Sequence, residues 1–394
     1  MKIDSLLASR TKRISPSAIR EILKVVNKPG MVSLAGGIPA PESFPLDIMG
    51  ELTKRVFEKY STHALQYDVS EGFVPLREEL ARYLRKIGLT FGAQDIQITS
   101  GSQGLLDAIG KVFIEPGCLV AVEAPTYLGA LQAFAPYEPN YVSIQTDENG
   151  ILPESLESIL SANTIRFIYL IPTFQNPSGR TLSLERRKTV AEIIKRHDAL
   201  LVEDDPYSRL RYRGEALPTI KQFAPDNVIY MSTFSKIFAP GLRIGFSIAP
   251  PDVSPWLVMV KQGIDLHTST FNQALAAEYL AGGYLDIQLP KIVSIYRPKQ
   301  EAMLNALSDF IPSGYRWSKP DGGMFIWLEG PEGLDAVKLY QKAVERNVAY
   351  VPGKFFFADP KEGFNTMRLN FTMSPEKVLS GAVKTLAEVL KAEA

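Results

Sequence analysis

The sequence predicts an α/β protein: a large domain with a mainly parallel, mixed sheet flanked by helices, and a smaller α+β domain built from the N- and C-terminal parts. Three observations predict it. Short apolar runs bounded by turn residues recur along the chain, helix-sized segments separate most of them, and the pattern changes after about residue 284. The divisions that follow are 1–46 for an N-terminal arm and part of the small domain, 47–290 for the large domain, and 291–394 for the C-terminal small domain. At 394 residues and 45% hydrophobic content, the chain has enough apolar material for a large core and more than one lobe.

Taken in order, Pro16 to Val26 reads as a short helix with proline in its first turn. The segment SLAGGIPAPESFP, Ser33 to Pro45, is too rich in glycine and proline for a helix and reads as loop. From about residue 47 the chain alternates. Val74 to Gly88 has a helical pattern, and strand-length runs follow at Asp95 to Ser100, Cys118 to Ala124, Thr164 to Ile171, Ala199 to Asp205, Asn227 to Phe234 and Arg243 to Ala249. A long helical stretch starts near residue 284 and runs through Ile292 to Leu307; beyond it come MFIWLEG, another helix and MRLNFTM. Internal repeats and low-complexity tracts are lacking, so the lobes are expected to pack together and share a cleft.

Bulk properties narrow the function. Lysine plus arginine equals aspartate plus glutamate at 43 each, so no overall charge favours nucleic acid or an anionic membrane. Small molecules and a second copy of the chain are the expected partners. One cysteine, Cys118, excludes an intramolecular disulfide and a multi-cysteine zinc site, which fits a reducing cytoplasm. Neither a leader-like apolar stretch nor a membrane-length one is visible.

In an open α/β sheet, ligands sit beyond the carboxyl ends of the strands, so the residues that end each run carry the information. The first run ends in SGSQG, Ser100 to Gly104, and enters LLDAIGKVF. Strand, glycine turn and helix N-terminus together suit a phosphate, with Ser102 and Gln103 as donors; an ordinary tight turn is the plainer reading. The fourth run ends in Glu203, Asp204 and Asp205, followed by Pro206 and Tyr207. Three successive acids imply a cationic partner. A metal lacks a full ligand set, since only His197 of three histidines is near in sequence, and a protonated ring nitrogen is the other candidate. TFSKIFAPGLRIGF sets Lys236 after a strand with Thr233, Ser235 and Arg243 around it. An apolar setting and a second cation disfavour the ammonium, giving the neutral amine that Schiff-base chemistry needs, while the hydroxyls and Arg243 suit a dianion. IPTFQNPSG places Asn176 before Pro177, and APTY places the ring of Tyr127 at another strand end.

These residues jointly resemble the class I and II aminotransferases, pyridoxal-phosphate (PLP) enzymes of fold type I. The resemblance runs from Arg20 to Arg368 and rests on TFSK followed by GLRIGF, on the NPSG turn and on the spacing of Asp204 and Tyr207. It implies that Lys236 bonds the cofactor and later moves the substrate proton, that Asp204 pairs with the pyridine nitrogen, and that Asn176 and Tyr207 meet the phenolic oxygen. Tyr127 is expected to stack on the ring, with Ser102, Gln103, Ser235 and Arg243 on the phosphate and Tyr67 reaching in from the second subunit of a homodimer. Arg368 is expected to clamp the substrate α-carboxylate. SAIREIL with Arg20, the Gly36-Gly37 segment and DLHTST are similar to the 2-aminoadipate and kynurenine branch, where Arg20 and Gly37 would meet the substrate. Thr233, where serine is commoner, and Gly104, where a larger residue is usual, depart from the pattern.

The expected reaction is ping-pong transamination from an amino acid (2-aminoadipate, aromatic, branched-chain or similar) to a 2-oxo acid such as 2-oxoglutarate. Two rivals share the motifs: a PLP-dependent C–S lyase or synthase, and an aminotransferase-like DNA-binding regulator. The latter needs a basic domain ahead of Gly36 and fits the zero net charge poorly.

Overall fold

The computed structural model describes residues 3–13 and 30–392. The helix expected over Pro16 to Val26, and Arg20 with it, lies outside the described residues.

All six predicted runs are strands of one seven-stranded sheet. Its order is Ile96–Thr99, Gly245–Ile248, Val228–Thr233, Leu201–Asp204, Ile165–Leu170, Leu119–Glu123 and Asn140–Ile144. Gly245–Ile248 runs antiparallel to both neighbours, and the other adjacent pairs are parallel. The seventh strand, Asn140–Ile144, escapes the sequence reading because it is an edge strand: only Ile144 is buried, so it lacks a continuous apolar run.

Side-chain alternation divides this sheet between two cores. Val120, Val122, Phe167, Tyr169 and Val202 face a cluster with Leu105, Leu106 and Ile109 of the helix Gly101–Phe113. Ala121, Ile168, Leu170 and Leu201 face the other way, toward Leu156 and Ile159 of Pro153–Ala162 and Val190 and Ile194 of Leu184–Arg196. Burial on both faces is why the strands read as unbroken apolar runs. The helices carry their expected start signals: Pro75 lies in the first turn of Val74–Lys86, and Ser183 accepts a capping bond from the Arg186 amide at 3.3 Å.

A second, four-stranded antiparallel sheet joins Arg316–Trp317, Phe325–Glu329, Thr366–Asn370 and Val351–Pro352. The helix Tyr284–Phe310 packs against Glu376–Lys391 beside it and crosses residue 290 without a break. Residues 34–38 lie between the two sheets. The Leu34 amide donates to Ala349 and its carbonyl accepts from Asn370, while Thr372 Oγ1 holds the Ile38 carbonyl at 2.9 Å.

One buried cation fastens a loop that leads to the site. Arg187, 1% exposed, donates to the carbonyls of Leu182, Pro218 and Pro172 and to Thr173 Oγ1 at 2.7–3.0 Å. Arg187→Met fills similar volume but strands those acceptors, so we expect a stability loss of about 3 kcal/mol. A chemical-denaturation midpoint equal to that of the wild type contradicts this.

Candidate active site

The site lies beyond the carboxyl ends of the seven-stranded sheet, in a cavity of about 310 Å³ whose lining includes Gly37, Ser102, Gln103, Tyr127, Asn176, Asp204, Tyr207, Ser235, Lys236, Arg243 and Arg368. Residues drawn from more than 330 positions of sequence thus converge on one space, as the strand-end rule requires. A larger cleft of about 1090 Å³, lined in part by Asp147, Arg180, Arg316 and Glu329, lacks this chemistry. Three of its charges are matched to each other, with Glu329 bound to Arg180 at 3.0 Å and to Arg316 at 3.6 Å.

Of the three successive acids, Asp204 alone lines the cavity. The expectation that the whole run calls for a cationic partner is corrected by strand alternation. Glu203 turns to the opposite face, where its two oxygens accept the amides of Ile220 and Lys221, each at 2.8 Å. Asp205, past the strand end, accepts from the Ser208 amide and hydroxyl and from Tyr230. Asp204 accepts from Tyr169 at 2.8 Å through Oδ2, while Oδ1 is buried without a partner. Burial pushes its carboxyl up to about 7, a shift that a cation placed against Oδ1 would reverse.

Lys236 follows the Val228–Thr233 strand in a short turn that Thr233 Oγ1 holds by accepting the Ser235 amide at 3.2 Å and donating to the Ile244 carbonyl at 3.1 Å. Threonine in place of serine therefore costs the turn nothing. The Lys236 ammonium donates to the Gly37 carbonyl at 2.9 Å. Burial, then the charges of Arg368 and Arg243, bring its pKa down to about 8.

Arg368, on the Thr366–Asn370 strand, is 1% exposed and sits 4.3 Å and 4.9 Å from the ring centres of Phe325 and Phe356. Its Nη1 donates to Asn176 Oδ1 at 2.8 Å and its Nη2 to the Ala35 carbonyl at 2.7 Å; Nε is buried and unpaired. The Asn176 amide then reaches Tyr207 at 3.4 Å, so both join one network.

At the opposite end, Gly101 opens the helix Gly101–Phe113 with φ +72°, and a Cβ there would stand 2.3 Å from Arg243 Nη2. Only glycine meets both demands. Ser102 Oγ is buried and unpaired. Gln103 gives an amide hydrogen to the Gly129 carbonyl at 3.0 Å. A Cβ at Gly104 would lie 3.8 Å from Ser100, so glycine is not required there.

Tyr67 stays apart from the cavity of its own chain: 75% exposed, it packs edge-on against His267. The sequence reading missed Tyr169, Phe325, Phe356 and Gly129. A Cβ on Gly129 would stand 2.4 Å from Tyr127 Cζ, so that glycine makes room for the ring.

A cofactor with one cationic ring atom and one anionic tail fits this space. Asp204 Oδ1, Ser102 Oγ and Arg368 Nε, all orphaned, belong to residues on its wall. Among the described residues no cluster suits a metal ion, and no helix is long and apolar enough to cross a membrane.

The model of the family described as aminotransferase class I and II matches residues 48–384. Aromatic-amino-acid aminotransferase 1 of Thermococcus litoralis is 49% identical over 96% of this chain and 92% of its own length. The 2-aminoadipate transaminase of Thermus thermophilus is 42% identical over 96% and 95%. The crystal structure of the Pyrococcus horikoshii kynurenine aminotransferase in complex with PMP superposes with a TM-score of 0.95 at 44% identity, covering 100% of this chain and 98% of that one.

Gly101→Ala sets a side chain against Arg243 in a backbone region costing on the order of 1–3 kcal/mol. We expect affinity for a phosphate-bearing ligand to fall about tenfold with the fold retained. Unchanged affinity by titration contradicts the packing argument.

Proposed function

The chain belongs to the class I and II aminotransferases, and on that premise we propose that Lys236 holds PLP and that the enzyme moves amino groups from 2-aminoadipate or an aromatic amino acid to 2-oxoglutarate. One observation carries the reading of the site: three orphaned polar atoms and a buried lysine on the wall of a single cavity. Each matches one charged part of the cofactor or substrate.

Bound PLP supplies an electrophilic carbonyl and a pyridinium ring able to take up an electron pair from the substrate Cα. Asp204 Oδ1 holds the proton on the ring nitrogen, and Tyr169 keeps that carboxylate aimed. Tyr127 would stack on the ring, and Asn176 and Tyr207 would supply donors to the phenolic oxygen. Ser102, Gln103, Ser235 and Arg243 bind the phosphate through hydroxyl, amide and guanidinium donors. Arg368 offers Nε and its remaining hydrogens to the α-carboxylate, with Phe325 and Phe356 fixing the plane of the fork. Lys236 Nζ, when free, accepts the Cα proton and returns it one position away. Burial keeps much of it neutral near its pKa of about 8.

The substrate assignment rests on the names of the relatives and on the 2-aminoadipate-like segment at Gly36 and Gly37; Arg20 would meet the far end of the substrate. A homodimer completes the site, with Tyr67 crossing from the second subunit. The exposure of Leu65, Tyr67, Val69 and Leu266, 48–75%, supports that face as the contact. The divisions at residues 46 and 290 and a cytoplasmic location belong to the same reading.

Two outcomes test it. Wild-type apoprotein captures PLP as an adduct that borohydride reduces to a permanent secondary amine, with a rate that rises with pH through a midpoint near 8 because the lowered lysine is neutral above it. Lys236→Ala captures none. A midpoint near that of an exposed lysine, about 10.4, removes the argument from burial. Against 2-oxoglutarate, a panel of amino donors is expected to rank 2-aminoadipate or aromatic amino acids first; release of pyruvate and ammonia without an acceptor points to the lyase instead.

A further inference from the structure

An ion pair with a buried lysine and a part-buried aspartate stands outside the cavity, behind the turn that carries Ser102. Lys261 is 5% exposed, and its Nζ donates to Asp265 Oδ1 at 2.6 Å and to Thr268 Oγ1 at 3.1 Å. The other Asp265 oxygen accepts a hydrogen bond from Ser100 Oγ, which also lies 3.0 Å from Thr268 Oγ1. The Ser100 carbonyl in turn accepts from Arg243 Nη2 at 3.3 Å. Ser100 is therefore gripped at its side chain by the ion pair and at its carbonyl by Arg243. None of Ser100, Lys261, Asp265 and Thr268 lines the cavity.

Holding a loop in place does not by itself call for a buried charge pair, because apolar packing does that without the desolvation cost. What apolar side chains cannot do is fix a hydroxyl and, through the same residue, the direction of a carbonyl. Gly101 holds φ +72° with its Cβ position 2.3 Å from Arg243 Nη2, so the turn and that guanidinium lie against each other. The far side of the pair is equally fixed: Gln273 Nε2 donates to the Thr268 carbonyl at 2.7 Å, and Ser269 caps the helix Thr270–Ala281. We propose that Lys261 and Asp265 form a positioning pair that acts through Ser100 to hold Arg243 and the Gly101-Ser102 turn in register for a phosphate. This rests on the reading of that turn as the phosphate site.

The variant to test is Ser100→Ala, which removes one hydroxyl and leaves the ion pair intact, so the fold is retained. Apoprotein is titrated with PLP and with pyridoxal, which lacks the phosphate, and its thermal midpoint is followed with inorganic phosphate. Relative to wild type we expect PLP to bind about fivefold more weakly, pyridoxal to change by less than about twofold, and the phosphate-induced midpoint shift to shrink. Asp265→Asn should move the same ratio in the same direction. If wild type prefers PLP over pyridoxal and Ser100→Ala keeps that preference in full, or weakens both ligands equally, the positioning role is wrong. If wild type itself shows no preference, the phosphate-site reading fails, and this inference with it.

Discussion

The site depends on keeping two cations, Lys236 and Arg368, on the wall of one cavity. Each is disfavoured first by burial, and the Arg368 charge depresses Lys236 further; Arg368 itself is brought down to about 10. Neutral oxygens, not carboxylates, are their partners: the Gly37 carbonyl for Lys236, and the Ala35 carbonyl and Asn176 Oδ1 for Arg368. A carboxylate in those places would neutralise Arg368 and raise Lys236, removing both the positive potential of the cavity and the lowered lysine. Neutral acceptors hold the geometry and leave the positive potential unspent.

That choice explains why residues 34–38 run between the sheets. Their carbonyls face both ways: Ala35 meets Arg368 from the four-stranded sheet, and Gly37 meets Lys236 from the seven-stranded one. At Gly37 a Cβ would come 3.2 Å from the Phe325 ring, which is itself packed on Arg368. The segment is therefore part of the electrostatics and not only a connection, and glycine at position 37 reflects close backbone approach.

Much of this was legible in sequence, for a definite reason. Strands buried on both faces announce themselves as apolar runs, and their ends then point to the rim, which is how Lys236, Asp204, Asn176, Tyr127 and Arg243 could be gathered before any geometry was known. What was not legible depends on which face a residue takes or on what lies opposite it. Glu203 and Asp205 read like Asp204 because the side-chain period within a short acidic run is invisible without the neighbouring elements. Arg187 reads as one more basic residue in LERRKTV, yet it is buried. Tyr169 is an ordinary strand residue until Asp204 on the adjacent strand is set beside it. Phe356 belongs to a short turn with no motif at all.

The pairing of Tyr169 with Asp204 shows why such support cannot be read from a motif yet decides what the motif does. Burial pushes the Asp204 carboxyl up to about 7 even with the Tyr169 hydrogen bond opposing it, so without that donor it would stand higher still. Tyr169 donates to Oδ2, which favours the ionised form and fixes the carboxylate plane, leaving Oδ1 as the one free acceptor. Its own hydroxyl is pushed well above its ordinary value by burial and by Asp204, so it remains a donor throughout. Burial favours the protonated acid and the fixed donor opposes it, so Asp204 is left with one free, aimed oxygen whose ionisation a cation against Oδ1 would complete.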